Sequence, residues 1–306
     1  MNYETFKETV KRTIEQKLGL TYKVSIHQAM KTNTVLDGLT ILKEDENISP
    51  SIYLNSYYSQ MIAGRAIQDI VDEIFDIYLK SRNTLSFKPE DFMDFELVKG
   101  KIIYKLINTD KNTELLKDIP SLQFHDLSIV FYYLVEMNDR EIGSILIHNN
   151  HMEIWNTDVI ELKRLADINT PSLLPYSLKS MNSVMEEILT QEFELSESDH
   201  GLFNDVISNP HNEAESMYVL TNTKGINGAA VLFYSQVLEQ FSKSHGSFFI
   251  LPSSIHEVLL VPVNSGVSKE NLTDMVIDVN RTQLAPEEIL SDNVYFFDAD
   301  THLISM

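Results

Sequence analysis

The order of apolar patterns in residues 217–297 limits the fold more than any other feature of the chain. Short apolar runs typical of strands alternate there with two segments whose apolar residues recur at helical spacing. The resulting order of elements is βαββαβ, the ferredoxin-like or split βαβ order. It predicts an α+β protein but assigns no chemistry, because many unrelated functions use this arrangement.

The N-terminal region has a second alternation of the same kind. Apolar residues recur every three or four positions over 3–18 and 66–82, which predicts two amphipathic helices. Between them, strand patterns are predicted at 22–30 and 35–42, and a short third strand at 52–54. We therefore predict an α-β-β-β-α order for the first part of the chain.

The middle of the chain has a mixed pattern. Residues 92–107 are predicted to form a helix or a helix pair interrupted at Gly100, and 127–137 a strand. A polar, acidic stretch then separates this region from the C-terminal pattern. We predict two domains: an N-terminal α+β region at 1–192, and an acidic connector with the C-terminal βαββαβ unit at 193–306.

Negative charge is concentrated in the C-terminal part. The formal net charge of the chain is -21, and residues 180–306 contain 4 Lys or Arg against 19 Asp or Glu. Direct binding of nucleic acid by this part is disfavoured, because neutralising phosphates requires Lys and Arg. Such a surface favours attraction to a basic protein partner. Plain solubility is the alternative explanation of the charge.

No basic residue lies between Lys179 and Lys224. The candidate partner-binding residues in this acidic stretch are Glu192, Glu194, Glu197 and Asp199. Our leading hypothesis is a non-enzymatic binding or regulatory protein that engages a basic partner. In a sharper version the carboxylates mimic nucleic acid, which requires them to be spaced like phosphates.

The chain contains no cysteine. This excludes disulfides, zinc–thiolate sites and cysteine nucleophiles, and it favours a reducing compartment. The first residues lack the basic and apolar regions of a signal peptide, and every apolar run is far shorter than the roughly 20 residues that span a bilayer. We predict a cytoplasmic protein that binds no membrane. Because no ligand set of known spacing is present, we also predict no metal or other cofactor.

One local group of residues suggests catalysis. Ser253, Ser254, His256 and Glu257 follow Pro252 in a loop predicted between two strands. The alternative function is therefore a hydrolase that uses Ser253 or Ser254 as nucleophile and His256 as base. Triads are assembled by the fold and not by adjacency. The same residues fit a turn whose serine hydroxyls bond the backbone.

Two other segments carry polar groups that could bind a ligand. His148 and His151, with Glu153, offer imidazoles and a carboxylate for a metal, although such a site needs a remote ligand. A loop capping the next helix is the alternative. The segment 223–228 leads from a strand into a predicted helix, where backbone amides could hold a phosphate. A glycine-containing turn explains it equally.

Several short segments carry a resemblance to a known family. They include Met217-Tyr218-Val219-Leu220-Thr221-Asn222, Gly228-Ala229-Ala230, Ile250-Leu251-Pro252-Ser253-Ser254-Ile255-His256-Glu257-Val258, Asn280-Arg281-Thr282, Glu287-Glu288-Ile289-Leu290-Ser291-Asp292, Lys105-Leu106-Ile107-Asn108 and Asn169-Thr170-Pro171. With these segments the chain resembles an uncharacterised bacterial family known only as a domain of unknown function. The resemblance implies a protein common in gut bacteria and on mobile elements, and it supplies no functional residues.

Overall fold

The structure is a computed structural model that describes residues 1–19, 21–44, 49, 51–81, 88–137, 142–193 and 217–306. This part of the chain forms two compact units, Met1–Lys88 and Pro89–Met306. Helices and several antiparallel sheets occur together, which confirms the α+β class. In the described residues, no helix is both long enough and apolar enough to cross a membrane.

The first unit has helices on a three-stranded sheet. Its elements are α1 Tyr3–Leu18, β1 Tyr22–Lys31, β2 Thr34–Lys43, β3 Ile52–Tyr53, α2 Leu54–Ile62 and α3 Ile67–Ser81. The strands are in the order β1-β2-β3, and both pairings are antiparallel. The two predicted helices and the predicted hairpin are confirmed. Helix α2 is absent from the sequence prediction, which includes Leu54 in the third strand.

A single apolar cluster forms the core of this unit. The apolar face of α1 contributes Phe6, Val10 and Ile14, which pack with Leu39 of β2 and Ile74 of α3. All five side chains are fully buried. Each comes from a face that the helical or strand period already groups in the sequence, so the local pattern predicts which side chains build this core.

The second unit begins with a four-stranded sheet. Its elements are α4 Pro89–Met93, α5 Phe95–Val98, β4 Ile102–Asn108, β5 Ser121–Phe124, β6 Leu127–Met137, β7 Ile142–Leu146, α6 Asn149–Trp155 and α7 Val159–Leu173. Strand β6 pairs with β4, β5 and β7. The prediction of helix over 92–107 is wrong from Ile102 onward. Strand β4 is largely buried, and a short continuous apolar run fits a buried strand as well as a helix.

The rest of the second unit builds a six-stranded sheet. Its elements are β8 Tyr176–Ser180, α8 Met181–Phe193, β9 Tyr218–Asn222, α9 Val237–His245, β10 Phe248–Leu251, β11 Val258–Pro262, α10 Lys269–Thr282, β12 Tyr295–Phe297 and β13 Ile304–Ser305. The predicted βαββαβ order is present from β9 to β12. Its first helix is split, because a 3₁₀ helix at Gly228–Phe233 precedes α9.

The strand order is β13-β12-β10-β11-β9-β8, and every pairing is antiparallel. The hairpin strands β10 and β11 are therefore central, whereas a ferredoxin-like sheet has the first and third strands of the unit in the centre. Strand β8 precedes the domain boundary predicted at residue 192, and its partner β9 follows it. That boundary therefore lies inside one sheet and does not separate the two compact units.

Helices cover both faces of this sheet. On one face, Leu251 and Val261 pack against Leu272 and Val276 of α10, with Met181 of α8 beside them. On the other face, the α9 ring Phe241 contacts the rings of Tyr218 and Phe248. The two groups of side chains lie on opposite faces because successive side chains along a strand point to opposite sides of the sheet. We call the first side the α10 face and the second side the α9 face.

Candidate functional site

Three segments of the second unit meet at the ends of β9 and β11. They are residues 221–228, 253–257 and 287–290, and we call their meeting point the loop junction. The N–H of Ile255 donates to the carbonyl of Glu288 at 2.9 Å, and the N–H of Ala229 donates to the carbonyl of Ile255 at 3.2 Å. These bonds hold the predicted serine–histidine loop between the other two segments.

The loop junction is too tightly packed for a side chain at Gly228. The hydroxyl of Thr221 donates to the carbonyl of His256 at 2.7 Å. A Cβ atom at Gly228 would lie 2.0 Å from the Thr221 Oγ1 and 2.3 Å from the His256 carbonyl oxygen. Residue 228 must therefore be glycine, because the neighbouring segments approach its backbone too closely for a Cβ atom.

Ser254 is a structural part of the loop. Its side chain is buried, with 2% exposure, and its Oγ accepts the backbone N–H of His256 at 3.0 Å. Its hydroxyl also bonds the Glu257 carboxylate and lowers the pKa of that carboxyl. These contacts match the turn interpretation, in which the serine bonds the loop backbone. Ser253 is linked through its carbonyl, which accepts the N–H of Leu290 at 2.7 Å.

The His256 ring lies among groups other than the serines. Its Nδ1 is 3.4 Å from the N–H of Asn227, and its Nε2 is 3.7 Å from Oε1 of Glu288. Within the described part of the chain, no hydrogen bond joins the ring to Ser253 or Ser254. A hydrolase nucleophile and its base need such a bond, so this geometry favours a turn over a catalytic set.

Glu257 is the titrating group of the loop junction whose environment differs most from water. Burial raises the pKa of its carboxyl, and the nearby charge of Glu288 raises it further. The bond from Ser254 and the charge of His256 act in the opposite direction. Perturbed carboxyls occur at functional sites and also in structural networks. Here the carboxylate binds the loop that carries it.

Four of the backbone amides of 223–228 have acceptors within the protein, those of Thr223, Lys224, Gly225 and Asn227. The N–H of Lys224 donates to Oδ1 of Asn222 at 3.0 Å, and the N–H of Gly225 donates to the Asn222 carbonyl at 3.0 Å. The N–H of Asn227 points to His256. Most amides of this segment therefore have internal acceptors, which favours the glycine-containing turn over a phosphate site.

The two predicted histidines lie at the start of α6. The Nδ1 of His148 is 2.7 Å from Oδ2 of Asp118, and Nδ1 of His151 accepts the His148 backbone N–H at 3.0 Å. Burial lowers the pKa of His151, which packs edge-on against Phe92. In the part of the chain that the structure describes, no group of three or more His, Cys, Asp or Glu could hold a metal.

A partly buried network around Asp126 is absent from the sequence prediction. Its carboxylate accepts hydrogen bonds from the hydroxyls of Ser291 and Tyr295 and from the amide of Asn293. Ser291 and Tyr295 are fully buried. Burial and the Asp126 carboxylate both raise the pKa of Tyr295, so this phenol stays protonated and donates. The network joins the turn between β5 and β6 to the segment that leads into β12.

Two buried asparagines hold the same segment. Asn108 Nδ2 donates to the carbonyl of Leu290 at 2.9 Å, and Asn280 Nδ2 donates to the carbonyl of Ser291 at 2.8 Å. Residues 105–108, 280–282 and 287–292, which are remote in the sequence, meet here. The segments that carry the family resemblance are thus connected by buried hydrogen bonds, and their asparagine and serine side chains position the backbone.

The predicted partner-binding residues lie at the edge of the described structure or beyond it. Glu192 belongs to α8, but its side chain is outside the described residues, and so are Glu194, Glu197 and Asp199. Their role therefore stays a prediction. The described residues contain other carboxylates, which lie on helices of the α10 side of the sheet.

Helix α10 presents a row of carboxylates to solvent. Glu270, Asp274 and Asp278 are exposed and recur every four residues, a step of about 6 Å along a helix. Bonds from the Glu270 backbone N–H and from Ser268 lower the pKa of Glu270. Glu186 is also exposed, and it belongs to α8, whose Met181 packs in the same apolar cluster as α10. We call Glu186, Glu270, Asp274 and Asp278 the acidic helix face.

Comparison with known proteins identifies a family to which no function is assigned. The model of a family described as "Family of unknown function (DUF5688)" matches residues 3–299, nearly the whole chain. The resemblance to a domain of unknown function is thereby confirmed. No curated protein matches the chain, and no solved structure matches it.

Proposed function

The chain belongs to this family of unknown function, and we propose that it acts by binding a basic protein partner through the acidic helix face, without catalysing a reaction. The observation that carries the proposal is the row of exposed carboxylates on α10. The net charge of -21 acts in the same direction, since a surface of one sign attracts and steers a partner of the other.

The geometry of the row also supports the sharper hypothesis of nucleic-acid mimicry. Three carboxylates at steps of about 6 Å form a regular array of negative charge, as the phosphates of a nucleic-acid strand do. Arg281 contacts Asp278 at 3.2 Å. An exposed ion pair of this kind contributes little, so a cationic partner can replace it. The absence of cysteine supports a cytoplasmic location for this interaction.

A charge-matched pair of variants tests the proposal. The probe is a fluorescein-labelled arginine-rich peptide, and its association rate with the full chain is measured at 0.1 M and 1 M salt. Glu270→Gln, Asp274→Asn and Asp278→Asn are combined in one variant. The control combines Glu8→Gln, Glu15→Gln and Asp69→Asn, which remove three exposed carboxylates from the first unit.

We expect the α10 variant to slow association about tenfold at low salt, while the control changes it little. High salt should remove the difference, because the Debye length falls from about 10 Å at 0.1 M to about 3 Å at 1 M. Equal slowing by both variants would mean that only total charge matters. That result, or no binding of the peptide by the wild type, would contradict the proposal.

A further inference from the structure

Strand β8 is an outer strand of the six-stranded sheet. Two backbone bonds define its ladder with β9: the N–H of Thr223 donates to the Pro175 carbonyl at 2.8 Å, and the N–H of Met181 donates to the Met217 carbonyl at 2.9 Å. Directly bonded pairs alternate with non-bonded pairs along an antiparallel ladder. The odd-numbered residues of β8, Ser177 and Lys179, are therefore the ones that bond β9.

The even-numbered residues of β8 direct their backbone groups away from β9. Tyr176 and Leu178 point their N–H and C=O groups to the outer edge of the sheet. Among the described residues, β8 pairs with β9 alone. Tyr176 is 44% exposed and Lys179 is also exposed, so side chains on both faces of this outer strand reach solvent. Such an edge is a template for another strand.

A hollow flanks β8 on each face of the sheet. The hollow on the α9 face has a volume of about 450 Å³ and a largely apolar lining that includes Pro171, Tyr176 and Tyr234. The hollow on the α10 face has a volume of about 230 Å³, and its lining includes Ser177 and Glu187. The hollows are on opposite faces because Tyr176 and Ser177 are neighbours in a strand, where successive side chains alternate.

We propose that β8 binds an extended basic segment of the partner as an additional strand, which places apolar side chains in the larger hollow and basic side chains beside the smaller one. This inference rests on the proposed function and names how the partner docks. In binding by strand addition, backbone bonds supply affinity and alternating pockets supply specificity. The two hollows lie on opposite faces of β8, so they can receive the alternating side chains of an added strand.

The negative charge of the chain favours a basic segment over a second copy of the chain as the strand added to β8. A second copy of the chain would bring another net charge of -21 to the same sheet, so pairing of two β8 strands is opposed by repulsion. A basic segment is attracted instead. At the smaller hollow, Glu187 already binds a cation, because Lys179 Nζ is 2.6 Å from its Oε2. A basic side chain of the added strand would share this carboxylate.

The test uses a short synthetic peptide in which arginine alternates with valine. Two analogues carry N-methyl groups, one on every valine and the other on every arginine. Both keep the charge and side chains, but each has lost the N–H groups of one strand edge. If the peptide adds to β8, one analogue should bind at least about tenfold more weakly and the other should bind like the parent.

Residue-resolved amide hydrogen exchange of the full chain locates the contact. Saturation with the parent peptide should slow exchange of the Leu178 amide at least about tenfold, because it faces the added strand. The amides of Ser177 and Lys179 already bond β9 and are the internal control, with little change expected.

Each outcome separates the two proposals. If both analogues bind like the parent, or both lose binding alike, or the Leu178 amide gains no protection, strand addition is wrong while binding of a basic partner stands. If the parent peptide fails to bind even at 0.1 M salt, the proposed function is wrong as well.

Discussion

The two units of the protein reach a stable core by different means. In the first unit, Phe6, Val10 and Ile14 come from one helix face, and an apolar cluster holds the elements together. In the second unit, buried polar side chains also connect segments that are far apart in sequence, such as Asn108 with the carbonyl of Leu290. One unit is thus organised mainly by local periodicity and the other also by remote hydrogen bonds.

This difference indicates which substitutions should destabilise each unit most. Losing an apolar side chain removes transfer free energy and leaves a cavity. Losing a buried acceptor leaves its donors without a partner in a dry environment, which costs their full desolvation. A network that is fully bonded in the native state is therefore sensitive to a single change.

The largest effect is expected for Asp126→Ala in the second unit. The change leaves the buried donors of Ser291 and Tyr295 without their acceptor, and we expect a loss of about 4 kcal/mol in unfolding free energy. Urea unfolding followed by fluorescence of Trp155, the only tryptophan, reports on this unit. The control is Asp118→Ala at an exposed carboxylate. Similar midpoints for both variants would show that the network contributes little.

A smaller effect is expected for Ile74→Ala in the first unit. Ile74 is fully buried, and its truncation should cost about 3 kcal/mol. Ile62→Ala is the matched control, because that side chain is 64% exposed. Hydrogen exchange of the α1 and α3 amides measures the loss in this unit. If the two isoleucine variants behaved alike, the apolar cluster would not be the core that we describe.

Gly228→Ala tests close packing at the loop junction. Its Cβ atom would overlap the Thr221 Oγ1 and the His256 carbonyl, so we expect a loss of about 2 kcal/mol. Gly100→Ala is the control, since no atom lies within 4 Å of a Cβ built there. Thermal unfolding of both variants, followed by Trp155, gives the comparison. An unchanged Gly228→Ala protein would mean that the three segments are packed less tightly than described.

The smallest effect is a dependence on pH. Burial raises the pKa of Glu257 in the folded protein, so folding favours its protonated form. Its contribution to stability is lost as pH rises through that raised pKa. From neutral pH down towards the ordinary value of 4.5, wild type should therefore gain stability relative to Glu257→Gln.

For Glu270→Gln we expect the opposite dependence of stability on pH. The pKa of Glu270 is lowered, so its contribution is present above the unfolded pKa and is lost as pH falls. Urea unfolding at several pH values measures both differences. If the two variants diverged from wild type in the same direction, the assigned environment of Glu257 would be wrong.

The amino-acid sequence by itself determined the elements whose pattern is local. Helices α1 and α3 follow their apolar periods, and α10 begins after Ser268, whose hydroxyl caps the first turn. The βαββαβ order follows from the same reasoning, because each element buries a face that its own residues define. The acidic charge is likewise a property of composition alone.

Only the tertiary structure decided the features that depend on remote partners. Strand β4 has an apolar run that fits a helix or a buried strand, and its pairing with β6 selects the strand. Strand β8 was not predicted, since its partner β9 lies beyond α8. At the candidate site, Ser254 and His256 are close in sequence, yet the fold directs Ser254 to the backbone and Glu257. A hydrogen bond needs direction as well as proximity, and direction is set by the segments that pack around the loop.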